Sequence, residues 1–351
     1  MRDDGVREVR ILLIGAGNLG RRFAQLVEEK RERLCDVYGL HLRIVGVADS
    51  GGAAVDPSGL DGRAIAGVKE AGGSVADLPI VGRAGATGLQ LIESQPADVL
   101  CEAGPVNLDQ GAEPGLSHVR EALRRGLHVS TPNKGPIVTA FRELQALAAS
   151  SNRKLRFDGT VAGGLPALAL GARDLRGATI ERIEAIPNLT TGFILDLLAS
   201  GNSWDTAVET AREAGALEGD GAWDIDGWDA AAKLAILAQS VLDLDVSIAD
   251  VARTGIREID LDRLRAAHRQ GTSVRLLASA VRSPEGDYTL RVAPQEMPHE
   301  HPLARLGSKG MGIVYETDLF ATITASIDEP TPLPSAASML RDVLDLFADA
   351  T

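Results

Sequence analysis

The chain has 351 residues, a length that predicts two domains because a single hydrophobic core of that size would be unusual. Its formal net charge of −13 argues against nucleic acid or an anionic membrane as a partner and leaves a small molecule as the expected ligand. Two cysteines, Cys35 and Cys101, are too few for a disulfide framework, and the sequence shows neither an apolar signal core nor a run long enough to span a membrane, so we expect a cytoplasmic protein.

The first predicted strand, Val9–Ile14, runs directly into a helical pattern, and three glycines with the spacing GxGxxG lie between them. The first glycine allows a tight turn, the second lets a pyrophosphate approach the backbone, and the third permits close packing of helix on strand. The pyrophosphate would rest on the helix N-terminus, where free N–H groups attract an anion. The residues expected at the cofactor here are Gly15, Gly17, Asn18, Leu19 and Gly20.

A second strand pattern, LRIVGVADS, ends at Asp49 and Ser50. An acid at this point of a dinucleotide-binding unit can accept hydrogen bonds from the ribose hydroxyls. Asp49 would also repel a 2′-phosphate, which favours NAD over NADP. The alternative is a structural role in which Asp49 caps the turn into Ser50 and Gly51.

The following segments alternate between strand and helix patterns, in the order ADVLCEAG, LSHVREALRRG, LHVSTP, IVTAFRELQALAAS and KLRFDG. This alternation predicts an α/β fold, a Rossmann-type doubly wound parallel sheet, with ligands beyond the carboxyl ends of its strands. Two such ends stand out: Ala103 and Gly104 follow one strand, and Lys134 follows another. Pro132 and Pro136 should hold the backbone around Lys134 extended, so that the lysine projects toward the nicotinamide. An ordinary surface lysine is the alternative.

An acidic segment, EGDGAWDIDGWDAAAK, joins Glu218 to Lys233 and leads into an apolar helix predicted to begin near Gly227. Asp229 and Lys233 are four residues apart, so they project from the same face of that helix. The pair is interpreted either as a site that handles a proton or as a solvated surface ion pair beside an acidic helix N-terminus.

Taken together, these motifs resemble those of homoserine dehydrogenase. The matching segments are GAGNLG, VGVADS, TPNKGP, GTVAGGLP, NLTTGFIL, AREAGALEGD and the acidic pattern from Glu218 to Lys233, which occur in the family's order. The resemblance covers residues 9 to about 240 and implies a monofunctional enzyme without an aspartokinase or ACT regulatory module.

The resemblance also implies a reaction and a set of roles. Hydride transfer between the nicotinamide and a carbonyl would interconvert L-homoserine and L-aspartate 4-semialdehyde, in the threonine and methionine branch of amino-acid biosynthesis. Lys134 and Lys233 would flank the reacting carbonyl, one passing a proton and the other positioning the aldehyde. Glu218 would accept the substrate's amino group. The implied substrate-binding residues are Glu218, Asp224, Asp229, Gly163 and Thr190.

The family's monovalent cation site maps to the crossover segment, at Asp158, Val161, Gly163 and Leu165. Asp158 replaces the family's usual glutamate, which shortens the reach toward a cation. In NLTTGFIL, Leu189 and Gly192 replace the glycine and the asparagine of the family's NGTxN pattern. A glycine-rich GxGAG turn near the cofactor is also replaced, by DEPTPLPSAAS. These departures permit an alternative substrate, a related amino alcohol or semialdehyde.

The expected organisation is a dinucleotide-binding domain over residues 1–157, joined by a C-terminal helix at about 331–351. Residues 158–330 would form an α+β domain for substrate binding and dimerisation. Two predicted hairpins in this second domain, formed by VRLLASAV with DYTLRVAP and by GIVYETD with FATITASI, would extend its sheet and pair two subunits as a homodimer. A further alternative, from another class, is a nucleotide-binding protein without catalytic activity.

Overall fold

The computed structural model describes residues 6–217 and 221–347, which form two compact units. The first unit contains the chain up to Gly164 together with the residues from Thr331 onward, and the second runs from Leu165 to Pro330. The crossover residues 158–164 thus belong to the first unit, whereas the sequence predicts a second domain that begins at residue 158. They do so because hydrogen bonds join the segment to the C-terminal helix: Asp158 N–H donates to Asp342, and Arg341 donates to the carbonyl of Gly164.

Strands and helices alternate along the first unit. They are β1 (Arg7–Ile14), α1 (Asn18–Glu29), α2 (Arg31–Tyr38), β2 (Leu40–Asp49), β3 (Gly52–Val55), α3 (Gly62–Glu70), β4 (Gly82–Ala84), α4 (Gly88–Ser94), β5 (Val99–Glu102), α5 (Gly115–Arg124), β6 (His128–Ser130), α6 (Lys134–Ser150) and β7 (Leu155–Arg156).

These strands form one sheet in the order β4-β3-β2-β1-β5-β6-β7. The neighbouring strands β2, β1, β5, β6 and β7 pair in parallel. The fully buried side chains of Val9, Ile11, Leu12 and Leu13 show that β1 is covered on both faces, as expected for a doubly wound sheet. The predicted Rossmann-type α/β fold is confirmed. Two short antiparallel strands, β3 and β4, extend the edge beside β2. Their glycine and alanine content gives little strand signal, and the sequence analysis missed them.

The remaining helix of the first unit comes from the end of the chain. It is α13 (Leu333–Phe347). Met339 and Val343 are fully buried in a hydrophobic core that also contains Val9 of β1 and Phe23 of α1. This helix therefore completes the core of the unit that opens the chain.

The second unit contains the other elements. They are α7 (Ala167–Ala169), β8 (Ile180–Ile186), α8 (Leu189–Ala199), α9 (Trp204–Glu213), α10 (Ala222–Ile225), α11 (Trp228–Val241), β9 (Ala252–Arg253), α12 (Leu261–Arg269), β10 (Ser273–Arg282), β11 (Tyr288–Met297), β12 (Gly310–Thr317) and β13 (Ala321–Asp328).

The sheet of the second unit has the order β13-β12-β8-β10-β11-β9, and all its pairs are antiparallel except β9 with β11. The two predicted hairpins are confirmed as β10–β11 and β12–β13. Helices α8, α11 and α12 pack against β10. Within residues 6–217 and 221–347, none of the helices combines the length and apolar composition that crossing a bilayer requires.

Candidate active site

The glycine-rich turn between β1 and α1 is shaped by close backbone approaches. Gly15 has a φ of +93°, and a Cβ there would lie 2.3 Å from the carbonyl oxygen of Ala103. A Cβ on Gly20 would lie 1.9 Å from the carbonyl oxygen of Gly15. At Gly17, by contrast, an added Cβ would meet no heavy atom of the described residues within 4 Å. The first and third glycines are required by packing, and the second faces the open space expected for a pyrophosphate.

The N-terminus of α1 offers free backbone donors to an anion. Gly17 is the residue before the helix, and among the described residues no side chain caps it. The first N–H groups of a helix, here those of Asn18, Leu19 and Gly20, have no acceptor within the helix. Its first turn also contains no acidic side chain. This part of the unit fits the pyrophosphate of a dinucleotide.

Asp49, at the end of β2, is surrounded by donors from its own unit. One carboxylate oxygen accepts from the N–H of Gly51 at 2.9 Å and from Ser74 Oγ at 2.7 Å. The other accepts from Lys69 Nζ at 2.6 Å and from the N–H of Val75 at 3.0 Å. These four donors match the four lone-pair sites of a carboxylate. The turn-capping alternative for Asp49 is therefore present in the structure.

The same contacts set the charge of Asp49. Burial alone would raise the pKa of this carboxyl, but the hydrogen bonds from Lys69, Ser74, Val75 and Gly51 outweigh it and hold the pKa below its usual range. Asp49 is therefore an anion whose charge is balanced by the adjacent Lys69 ammonium. Ser50, the next residue, is exposed.

The loops after β5 and β6 are tied to each other by hydrogen bonds. Thr131 Oγ1 donates to the carbonyl of Glu102 at 2.8 Å, and the side-chain amide of Asn133 donates to the carbonyl of Pro105 at 3.2 Å. Within the first loop, the N–H of Gly104 donates to Glu102 Oε1 at 3.1 Å. Glu102 is fully buried, and these bonds fix the backbone of the two loops that end at the expected nicotinamide edge.

Lys134 is the first residue of α6, and its side chain is half-buried. The prediction that Pro132 and Pro136 hold this stretch extended, with the helix starting later at Ile137, is wrong. Asn133 is the N-cap, its Oδ1 accepting from the N–H of Gly135 at 3.0 Å, and Pro136 lies in the first turn, where its missing N–H costs nothing.

In the second unit, Lys233 and Asp229 form the predicted pair on one face of α11. Lys233 Nζ lies 2.8 Å from Asp229 Oδ2 and donates to the carbonyl of Pro187, also at 2.8 Å. The Asp229 side chain is 4% exposed and that of Lys233 is 15% exposed. The pair is therefore not the solvated surface pair of the alternative interpretation.

Asn188 joins this pair to a second carboxylate. Its side-chain amide donates to Asp229 Oδ2 at 2.5 Å and to Asp224 Oδ1 at 2.6 Å, while its carbonyl oxygen accepts from the N–H of Thr191 at 3.0 Å. The sequence analysis did not single out Asn188. Its signal was available, because asparagine before an apolar helix is a preferred N-cap, and α8 begins at the next residue, Leu189. We call Asn188, Asp224, Asp229 and Lys233 the acidic cluster.

Thr190, another predicted substrate-binding residue, lies in the first turn of α8, directly after Asn188 and Leu189. Thr190 Oγ1 donates to the carbonyl of Ala216 at 2.6 Å. Gly192 is buried, yet an added Cβ would meet no heavy atom of the described residues within 4 Å. Glu218 lies outside the described residues.

One of the predicted cation residues of the crossover, Asp158, faces a positive charge that belongs to the chain. The carboxylate of Asp158 pairs with the guanidinium of Arg341. Val161 and Leu165 are buried, and Gly163 has a φ of +57°. A free monovalent cation does not fit this arrangement, since Asp158 already faces a guanidinium.

A buried acid lies beside this pair. Burial raises the pKa of Asp342 well above its usual range, the charge of Asp158 adds to the shift, and Arg341 opposes it.

The glycine turn, the free helix N-terminus and the parallel sheet define the first unit as a dinucleotide-binding domain. Comparison with known proteins agrees. The family model described as "Homoserine dehydrogenase, NAD binding domain" matches residues 15–158, and the model described as "Homoserine dehydrogenase" matches residues 166–344. The chain belongs to the homoserine dehydrogenase family and is an NAD(P)-dependent oxidoreductase, as the sequence predicts.

Individual relatives cover nearly the whole chain. An NAD(+)-dependent homoserine dehydrogenase of Pseudomonas canavaninivorans is 33% identical over 98% of this chain and 97% of its own length. A homoserine dehydrogenase of Methanocaldococcus jannaschii is 32% identical over 96% of this chain and 98% of its own. The solved structure of a hyperthermophilic archaeal homoserine dehydrogenase in complex with NADPH has a TM-score of 0.83 at 26% identity, covering 97% of this chain and 98% of its own.

Proposed function

We propose that this chain interconverts L-homoserine and L-aspartate 4-semialdehyde, with Lys233 as the proton-transfer residue. The observation that carries the proposal is the buried ion pair of Lys233 with Asp229, which Asn188 extends to Asp224. An ammonium held at 2.8 Å by both a carboxylate and the carbonyl of Pro187 is fixed in position, as a general acid must be.

The chemistry divides between cofactor and protein. When bound, the reduced nicotinamide supplies the hydride that reaches the aldehyde carbon. Lys233 gives a proton to the carbonyl oxygen as negative charge develops there, so that the product is a neutral alcohol, and it accepts the same proton in the reverse direction. Asp229 stabilises the ammonium and orients it. Lys134 is proposed as the second lysine of the reaction, in the positioning role that the resemblance implies.

The same proposal covers binding of the amino acid. The substrate carries an ammonium group, for which an anionic site is the natural partner. Asp224, Asp229 and Thr190 support such a site in the second unit, and Glu218 is proposed as the direct contact by resemblance alone. Gly163, in the crossover segment, is proposed to contact the substrate through its backbone, as the resemblance implies.

The dinucleotide is proposed to bind through the glycine turn, the N-terminus of α1 and the loop at Ala103 and Gly104. NAD is the proposed preferred form, since Asp49 and Ser50 place no cation directly after β2. The Lys69–Asp49 pair, however, weakens the repulsion of a 2′-phosphate, because the ammonium lies 2.6 Å from the carboxylate. We therefore propose a preference for NAD with measurable use of NADP.

The pathway, the oligomeric state and the location of the protein are also proposed. The activity belongs to the threonine and methionine branch of amino-acid biosynthesis. A homodimer is supported by β13, an edge strand whose side chains are mostly exposed, since exposed edges favour pairing with a second chain. A cytoplasmic location is supported by the presence of only two cysteines, both unpaired.

A second substrate is favoured by one specific observation. Among the described residues, no heavy atom outside its own helix lies within 4 Å of the Cβ position of Gly192, where the family pattern has asparagine, so the side chain here is smaller and less polar than in the pattern. A related amino alcohol or semialdehyde with a larger side chain would use that space.

The test is the absorbance of the reduced nicotinamide with homoserine and either nucleotide. Replacing Lys233 by Met should lower turnover by a factor of about 10² to 10⁴, the usual range for a positioned acid or base, while binding of NADH is retained. Lys309→Met, at an exposed lysine of the same unit, is the matched control and should be unchanged.

Two outcomes would contradict the proposal. If folded wild-type protein binds NADH but does not turn over homoserine, then homoserine is not its substrate. If Lys233→Met and Lys309→Met are equally active, then Lys233 is not the proton-transfer residue.

A further inference from the structure

A single guanidinium holds both ends of the crossover segment 158–164. Arg341, on α13, pairs with the carboxylate of Asp158 and donates from Nη1 to the carbonyl of Gly164 at 3.2 Å. The side chain of Asp158 is 7% exposed and that of Arg341 is 34% exposed. The first residue and the last residue of the segment are therefore bound to one cation that belongs to the chain.

The partners of Arg341 are of the kinds that ligate a hard metal cation. Such ions are held by carboxylate and backbone carbonyl oxygens, and here one oxygen of each kind faces the guanidinium. The N–H of Asp158 donates to Asp342 at 3.1 Å, so the position of Asp158 is fixed from a second side. A free cation placed against the same carboxylate would be repelled by the guanidinium already there.

The shorter side chain at position 158 agrees with this arrangement. Aspartate has one methylene fewer than the glutamate of the family pattern, so its carboxylate reaches less far from the backbone. Asp158 reaches Arg341 because the C-terminal helix returns beside the 3₁₀ turn Asp158–Thr160.

We infer that the guanidinium of Arg341 supplies the positive charge at the crossover segment in place of a monovalent cation, so that this protein folds and works without one. Arg341 is thus a positioning residue, acting through the crossover backbone. The inference concerns the first unit alone and does not depend on the identity of the substrate.

The first experiment uses the wild-type chain. Its melting temperature is measured in choline chloride and in NaCl or KCl at equal ionic strength, after removal of alkali ions by dialysis. The expected result is the same melting temperature in all three salts. A rise of about 2–4 °C specific to sodium or potassium, as a bound ion would produce, overturns the inference.

The second experiment removes the guanidinium. Arg341→Met keeps the apolar stem and removes the guanidinium from Asp158 and Gly164, so this variant should melt lower in choline and regain about 2–4 °C when sodium or potassium is added. Arg341→Lys keeps a charge and should show no cation effect. Arg22→Met, which removes another ion pair of the same unit, is the control and should lose stability equally in every salt.

The variants also distinguish two roles for Arg341, as a replacement for a monovalent cation or as one partner of an ordinary salt bridge. If Arg341→Met behaves like Arg22→Met, without any response to sodium or potassium, then the arginine is only a structural partner and the inference fails. If Arg341→Met yields no folded protein, the inference is tested by the melting temperatures of the wild type and of Arg341→Lys in the three salts. A sodium- or potassium-specific rise in either would overturn it. The melting temperature reports on the cation in every case, so loss of homoserine turnover would contradict the proposed function without affecting this result.

Discussion

At the scale of single residues, the chemistry of the second unit depends on how Asn188 orders its neighbours. Its amide places two carboxylates, Asp224 and Asp229, within hydrogen-bonding distance of one nitrogen. Lys233 then supplies the positive partner of buried Asp229, since an unpaired buried carboxylate would be costly. Each member of the acidic cluster is thus held by another, and its geometry is set before a ligand arrives.

Gly192 lies four residues beyond Asn188, the N-cap of α8, and no heavy atom of the described residues outside its own helix lies within 4 Å of its Cβ position. Gly192→Asn should preserve or slightly raise the melting temperature, because asparagine is the better helix former. The added amide should raise kcat/KM for homoserine by about three- to tenfold, the effect of one hydrogen bond.

Gly192→Ala is the matched control, since it fills the helix position without adding a polar group. It should raise stability and leave kcat/KM unchanged. Identical kinetics for the two variants would show that the amide makes no contact with the substrate.

We expect Lys69 to affect which dinucleotide the first unit prefers. Its ammonium lies 2.6 Å from the Asp49 carboxylate, with its side chain 20% exposed. Lys69→Ala would leave Asp49 with an uncompensated negative charge, so NADPH binding should weaken roughly tenfold more than NADH binding. Fluorescence titration of both nucleotides measures the difference, and Lys30→Ala serves as the control. If Lys69→Ala weakens the binding of NADH and NADPH equally, then Lys69 does not act on the 2′-phosphate.

At the scale of elements, the sequence predicts those parts that local pattern determines. The strand β1, the glycine turn and α1 follow from a buried apolar run, three spaced glycines and a helical repeat. The i, i+4 pair Asp229 and Lys233 follows from helix geometry once α11 is placed.

Other elements depend on contacts between distant parts of the chain. β3 pairs with β2 although its sequence is only Gly-Ala-Ala-Val, so its register comes from the neighbouring strand. The four donors to Asp49 come from residues 51 to 75, and no local pattern announces that they converge. The same holds for Arg341 and Asp158, which are separated by 183 positions.

The pairing of β6 with β7 contains a pH-sensitive histidine. His128 Nδ1 accepts a hydrogen bond from the N–H of Lys154 at 3.1 Å, which requires the unprotonated nitrogen. Burial lowers the pKa of His128 from 6.5 to about 4, and the positive charges of Arg153, Lys154 and Arg7 add to the shift. In the unfolded chain the imidazole would take up its proton near the ordinary value.

This histidine should make the folded state less stable in acid. Its contribution to stability is fully present above pH 6.5 and is lost as the pH falls from 6.5 toward about 4, because only the unfolded state binds the proton in that range. Denaturant unfolding across this window should give a steeper pH dependence for the wild type than for His128→Asn, which keeps an acceptor without a titrating group. His299→Asn, at an exposed histidine, is the control; a wild-type slope matched by His128→Asn would contradict the prediction.

At the scale of the whole molecule, the first unit is assembled from two segments that are far apart in the chain. Its core contains side chains of β1 and α1 together with the inward face of α13. Lys154 Nζ also donates to the carbonyl of Leu346 at 3.3 Å, and Ser130 Oγ to that of Met339 at 3.5 Å. The dinucleotide-binding unit is therefore incomplete until the final helix has returned, and its stability should depend on that helix.

Met339 tests this dependence, because it is fully buried in that core. Met339→Asp would place a carboxylate in an apolar site and should destabilise the first unit by about 3 kcal/mol or more. NADH binding should be lost as well. Among the described residues, no hydrogen bond joins Met339 to the glycine turn or to the loop at Ala103, so the loss would result from unfolding of the unit. Met339→Leu conserves volume and should retain both stability and binding. Thermal unfolding followed by circular dichroism, together with NADH titration, measures the two effects, and a Met339→Asp variant that binds NADH normally would show that α13 is dispensable to the unit.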